Sequence, residues 1–250
     1  MLIFVAGTLI LGLCYVVNVR NYLLICLLFT SSPINAECVI LLHGLARTSW
    51  SMDKLADHLR KQDYQVVNMG YPSRYHVIEV LAELAIEPAL EQCASESKIN
   101  FVTHSLGGIL VRQYLSQHEI PQLNRVVMLG PPNQGTEIVD MMESVPGFHF
   151  INGDAGLQLG TNLHSVPVAL GDADFDLGII AGSRSINLIL SYFIPGIDDG
   201  KVSIERTKLT GMNDHIVMPV THPMMMKNKH VIKQVIYYLS HGSFNKEQNY

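Results

Sequence analysis

"FVTHSLGG", residues 101–108, sets a serine between an apolar, β-branched run and two glycines. The run Ile99-Asn100-Phe101-Val102-Thr103 reads as a short buried strand. Leu106 to Leu115 reads as a helix, with Ile109, Leu110, Arg112, Gln113 and Tyr114 filling its turns. Ser105 then stands on the corner between strand and helix. A serine hydroxyl is a poor nucleophile until a base takes its proton, and the base in turn needs an acid to orient it. The usual corner pattern is G-x-S-x-G, because small neighbours let strand and helix approach closely. Here Thr103 replaces the first glycine, while Gly107 and Gly108 follow the serine.

Outward from that corner, strands and helices alternate. Val39–Leu42 is an apolar strand, and Met52, Leu55 and Leu59 fall on one helical face. Gln65–Tyr71 is a strand, then Val77, Val80, Leu81, Leu84 and Ile86 form a helical stripe in which Pro88 should kink or break the helix. Strands follow at Arg125–Leu129 and Leu177–Ala181, and a final amphipathic helix carries Val231, Ile232, Val235, Ile236 and Leu239. Such alternation, without repeats or linkers, implies one α/β domain with a single, mainly parallel sheet flanked by helices. Ligands of such sheets bind at the C-terminal ends of the strands.

The 250 residues, 48% hydrophobic and 16% charged, suffice for one large core. A net charge of −5 argues against nucleic acid as a partner. Mean hydropathy is +0.22, and most of the apolar excess lies near the start. Leu2–Val17 and Tyr22–Phe29 are apolar runs separated by Arg20. Residues 1–36 are expected to be an export signal ending at Ala36, or else an N-terminal membrane anchor over 1–30; a buried helix hairpin is the plainer alternative. Either main reading places residues 37–242 outside the cytoplasm, periplasmic or extracellular, with 243–250 as a polar tail. Cys14 and Cys26 fall in the leading segment. Cys38 and Cys93 each precede a strand, so a parallel sheet would bring both to one edge. There they either form a disulfide in an oxidising compartment or stay as two thiols.

"VILLHGLARTSW", residues 39–50, puts His43-Gly44 directly after the first strand. A glycine there lets the loop turn sharply and aim a backbone N–H above the serine. Together with the N–H of the residue after the serine it would make an oxyanion hole, and we assign these donors to Leu45 and Leu106. His43 reads as a support for the loop, and His104 as a structural neighbour whose ring points away from the serine side chain.

These motifs carry a resemblance. "LLHGL" resembles the oxyanion strand, "VTHSLGG" the nucleophile elbow, and "VVMLGPPNQGTE" the following strand and loop of the α/β-hydrolase superfamily, in particular its small bacterial lipases and esterases without a large lid domain. In that superfamily the triad runs serine, acid, histidine along the chain. The resemblance implies Asp199 as the acid, in the turn Asp199-Gly200-Lys201-Val202, in preference to Asp198. Val202-Ser203-Ile204 would follow as a short β element. The base implied is His222, in the loop before the last helix, in preference to His215 at the edge of the segment 216–220. The chemistry implied is serine ester hydrolysis through an acyl-enzyme, with an ester or lipid substrate and no cofactor. Acyl transfer to an alcohol, glycolipid deacylation and a non-catalytic binding role are the rivals.

Residues 143–176 are rich in Gly, Pro and Asn and read as a loop roof that either lines the pocket with Phe148, Phe150, Leu157 and Leu159 or passes over the surface. Asp172, Asp174 and Asp176 lack the glycine register and distal glutamate of a calcium loop, so no metal site is expected.

Overall fold

The computed structural model describes residues 37–247; the expected signal or anchor, with Cys14 and Cys26, lies outside the described residues. Six strands form one parallel sheet: β1 Cys38–Leu42, β2 Gln65–Met69, β3 Ile99–His104, β4 Leu123–Leu129, β5 Leu177–Gly182 and β6 Asp214–Met218, in the order β2-β1-β3-β4-β5-β6. The helices are α1 Asp53–Arg60, α2 Ile78–Gln92, α3 Leu106–Leu115, α4 Glu137–Met142, α5 Phe148–Leu157, α6 Val166–Ala169, α7 Leu188–Phe193, α8 Ile204–Thr207 and α9 Lys229–His241. Among the described residues, no helix is long and apolar enough to cross a membrane.

Because side chains alternate along a strand, each central strand feeds two cores. Ile40, Leu42, Phe101, Val126 and Met128 face α2 and α3 through Leu81, Ala85, Ala89 and Leu110. Val39, Leu41, Val102, Val127 and Leu129 face α1 and α9 through Leu55, Leu59, Val231, Val235 and Leu239. Both faces are covered, which is why β1 and β3 are buried along their whole length.

Cys38 and Ile99 are register partners at the N-terminal edge of the sheet, and α2 ends just before that edge. Cys38 and Cys93 are joined there in a disulfide with Cα atoms 5.8 Å apart.

Four local expectations are corrected. Helix α2 runs through Pro88 instead of breaking. The missing N–H would have bonded the Leu84 carbonyl, and Leu84 is exposed to water, while Ala85, Ile86 and Ala89 stay anchored in the core. The segment 143–176 is not loop throughout, since it holds α5 and α6. The stretch after Val202 is helix, not strand: Ser203 Oγ accepts from the Arg206 N–H at 3.2 Å and caps α8, and only Asp198 and Ser203 pair as an isolated bridge. Finally, 243–247 is not a free polar tail. Phe244 is buried beside Tyr238, and Asn245 exchanges two hydrogen bonds with Gln234 at 2.6 and 2.9 Å.

Candidate active site

Ser105 sits between the last residue of β3 and the first of α3, with φ 53° and ψ −120°. A non-glycine residue holds such a conformation only when its surroundings over-determine it, and sharp strand-to-helix corners that expose a nucleophile are where it recurs. The Ser105 N–H donates to the Leu129 carbonyl at 2.9 Å, and the Ser105 carbonyl accepts from the Gly108 N–H at 3.0 Å. Gly107 is required by close approach: a Cβ there would stand 2.7 Å from the Leu42 carbonyl oxygen. Gly108 resolves the Thr103 departure. A Cβ on Gly108 would lie 3.2 Å from Thr103 Oγ1 and 3.0 Å from Met128 Sδ, so room for the threonine is made one helical turn further on.

The turn that carries Asp199 follows β5 and α7. Asp199 Oδ1 accepts from the N–H groups of Lys201 and Val202 at 3.0 and 2.9 Å, while Oδ2 accepts from His222 Nδ1 at 2.6 Å. The His222 N–H also donates to the Asp199 carbonyl at 2.9 Å. A carboxylate with both oxygens engaged has one orientation, and so has the imidazole it holds through Nδ1, which turns Nε2 away from the acid. Asp198 does other work: its Oδ1 accepts from Ser191 Oγ and from the Gly200 N–H, both at 2.7 Å. His215 stands on β6 bonded to Thr207 Oγ1 at 3.0 Å and is not among the residues lining the Ser105 pocket.

His43 stacks on Tyr71 with ring centroids 4.0 Å apart, and its Nδ1 donates to the Gly44 carbonyl at 2.9 Å. The Tyr71 hydroxyl donates to the His43 carbonyl, so the ring and the backbone of the loop after β1 are both held. His104 is buried, its Nε2 donating to the His222 carbonyl at 3.0 Å and its ring 4.7 Å from the His222 ring. Burial, reinforced by the nearby His222 and Arg47 charges, pushes the His104 pKa well below the ordinary histidine value. A neutral ring that gives its one proton to the His222 carbonyl holds the backbone at His222. Its Nδ1 has no hydrogen-bond partner among the described residues.

Ser105, His222, Leu45 and His104 line one cavity of about 250 Å³. Among the described residues, no hydrogen bond within the chain engages the Leu45 or Leu106 N–H. Leu106 opens α3, where the N–H groups have no helical partner and the helix dipole favours negative charge. The apolar wall is Ile138 and Val139 of α4, Phe148 and Ile151 of α5, and Leu159. Phe150 instead points to solvent, and Leu157 packs against the core below. Sequence reasoning passed over two cations in the lining, Arg47 and Lys201, because nothing in the local pattern of either marks it.

Residues 37–147 match the family model of the alpha/beta hydrolase fold. No curated protein matches the chain in sequence. Among solved structures, the mature lipase BlEst2 of Bacillus licheniformis superposes with a TM-score of 0.65 at 18% identity, over 82% of this chain and 93% of that one. A thermophilic esterase from Thermogutta terrifontis gives 0.57 at 12% identity, over 83% and 91%. Lipase B of Aspergillus fumigatus gives 0.59 at 18% identity over 82% of this chain, which spans about half (53%) of that one. The order of the parallel sheet and these likenesses give the chain the α/β-hydrolase fold.

Proposed function

We propose that the protein is a serine carboxylic-ester hydrolase in which Ser105, His222 and Asp199 form the triad and the Leu45 and Leu106 N–H groups form the oxyanion hole. The observation that carries this reading is the strained Ser105 corner facing the same cavity as a histidine whose Nδ1 is locked to a buried carboxylate. His222 Nε2 takes the Ser105 proton as Oγ attacks the ester carbonyl. The tetrahedral oxyanion is held by the two N–H groups, each worth about 3–4 kcal/mol in such sites. The imidazolium, balanced by Asp199, then gives its proton to the departing alcohol. Water, deprotonated by His222, attacks the acyl-enzyme and releases the acid and Ser105.

A cavity of about 250 Å³, just under the usual range for ligand pockets, supports short acyl chains. The Cys38–Cys93 bridge is in keeping with an oxidising compartment and so with an exported enzyme. Exposed Leu188, Ile189 and Tyr192 on α7 suit contact with lipid or aggregated ester.

The test is hydrolysis of p-nitrophenyl butyrate and palmitate by the purified protein beside Ser105→Ala, His222→Ala and Asp199→Asn, each checked for folding. Ser105→Ala and His222→Ala should lower kcat by about 10⁴-fold or more, and Asp199→Asn by about 10⁴-fold. Full activity in folded Ser105→Ala would rule the mechanism out.

A further inference from the structure

The lining of the Ser105 cavity combines aliphatic and aromatic side chains with two cations, Arg47 and Lys201, and no Asp or Glu is among the lining residues. Arg47 lies two residues beyond the proposed oxyanion donor Leu45, and Lys201 two residues beyond Asp199, so the cations come from the two loops that flank the serine. Both loops are held. The Ala46 N–H donates to Ser73 Oγ at 3.1 Å, and the Lys201 carbonyl accepts from Thr136 Oγ1 at 2.7 Å. Among the described residues, neither cationic side chain has an ion pair or hydrogen bond. The nearby carboxylate, Asp199, has both oxygens engaged, by His222 and by two backbone N–H groups. Partial withdrawal from water lowers the Lys201 pKa against the opposing pull of Asp199, and the Arg47 charge adds to the lowering.

Two like charges brought together in a pocket repel each other unless an anion joins them, and this pair sits in a chain of net charge −5. An arginine fork and a lysine ammonium together suit a phosphate or carboxylate. We infer that the substrate is an ester whose acyl chain lies against Ile138, Val139, Phe148 and Leu159 while its alcohol part carries a phosphate or carboxylate held by Arg47 and Lys201. This rests on the ester-hydrolase reading and adds the substrate class to it.

The test pairs esters that differ in that charge. One pair is soluble: o-nitrophenyl butyrate against 3-butyryloxy-4-nitrobenzoate. The other is lipidic: monoacylglycerol against lysophosphatidic acid of the same chain in one neutral detergent. The quantity read is the ratio of kcat/KM, anionic over neutral, in wild type, Arg47→Gln, Lys201→Gln and the double variant. A wild-type ratio above one in either pair, falling by about tenfold for each cation removed, is expected, as is a fall with added salt. The pair in which it appears identifies a small anionic ester or a phospholipid headgroup as the source. A ratio that stays constant while both members of a pair slow equally would make the cations aids to the chemistry and overturn the inference. Binding of butyl phosphate to Ser105→Ala, followed by calorimetry, does not depend on turnover. If no ester is cleaved, the hydrolase reading fails on its own, while binding that is the same in Ser105→Ala with and without the two Gln substitutions overturns the anion site.

Discussion

At the scale of single residues, the Ser105 corner depends on two glycines: Gly107 lets α3 approach the Leu42 carbonyl, and Gly108 leaves space for Thr103 and Met128. The order of residue types around a nucleophile is written in consecutive positions, so 101–108 could be read directly. What replaces a lost glycine is a matter of contacts across space: Gly108, a turn along α3, and Met128, on the neighbouring strand, share the space with Thr103. Likewise the choice of Asp199 over Asp198 could be argued from the glycine that follows, whereas the part played by Asp198 in binding Ser191 needed the fold. The Thr103–Gly108 relation is testable by a double-mutant cycle. Gly108→Ala should cost about 1–3 kcal/mol by overpacking, and Thr103→Ala should recover about 0.5 kcal/mol or more of that cost beyond additivity. Urea unfolding of the four proteins measures it, and strict additivity would show that Met128 alone sets the limit.

At the scale of elements, strands and long helices came through because burial imposes a period, and short elements did not because caps and neighbours decide them. Residues 99–104 are buried at every position, and such a run has few alternatives. By contrast α8 is four residues long and owes its start to one Ser203 hydrogen bond. Pro88 misled for a related reason: local propensity argued for a break, and the packing of Ala85, Ile86 and Ala89 outweighed it. The Cys38–Cys93 link joins the first residue of β1 to the end of α2 and closes 55 residues of chain. Removing it with Cys38→Ser and Cys93→Ser together should lower stability by about 2–4 kcal/mol, because the unfolded chain regains loop entropy. Calorimetry of the double variant reads this as a lower Tm. The Ser105 site, at the opposite edge of the sheet, should keep its kcat below that Tm, and an unchanged Tm would mean the bridge adds no stability.

At the scale of the whole molecule, one protonation state links the fold to the site. The parallel sheet brings the β1 loop, the β3–α3 corner and the loop before α9 to one edge, and His104 is enclosed among them. Burial is the largest influence favouring the neutral ring, the charges of His222, Arg47 and His43 add to it, and the bond to the His222 carbonyl opposes them. The unfolded chain returns His104 to its ordinary value of 6.5. Below that pH the unfolded state binds a proton that the folded state refuses, so stability is fully present above it and falls as pH is lowered. The slope for a histidine that stays neutral in the fold is about 1.4 kcal/mol per pH unit. His43 and His215, whose values are also lowered chiefly by burial, add to the same trend. Urea midpoints at pH 7.5, 6.5, 5.5 and 5.0 should therefore be flat over the first interval and decline over the rest. His104→Gln keeps an N–H donor for the His222 carbonyl and removes the titration, so its decline should be shallower by up to that slope. Equal declines in the two proteins would mean that His104 is charged in the fold, and the neutral support under His222 would have to be abandoned.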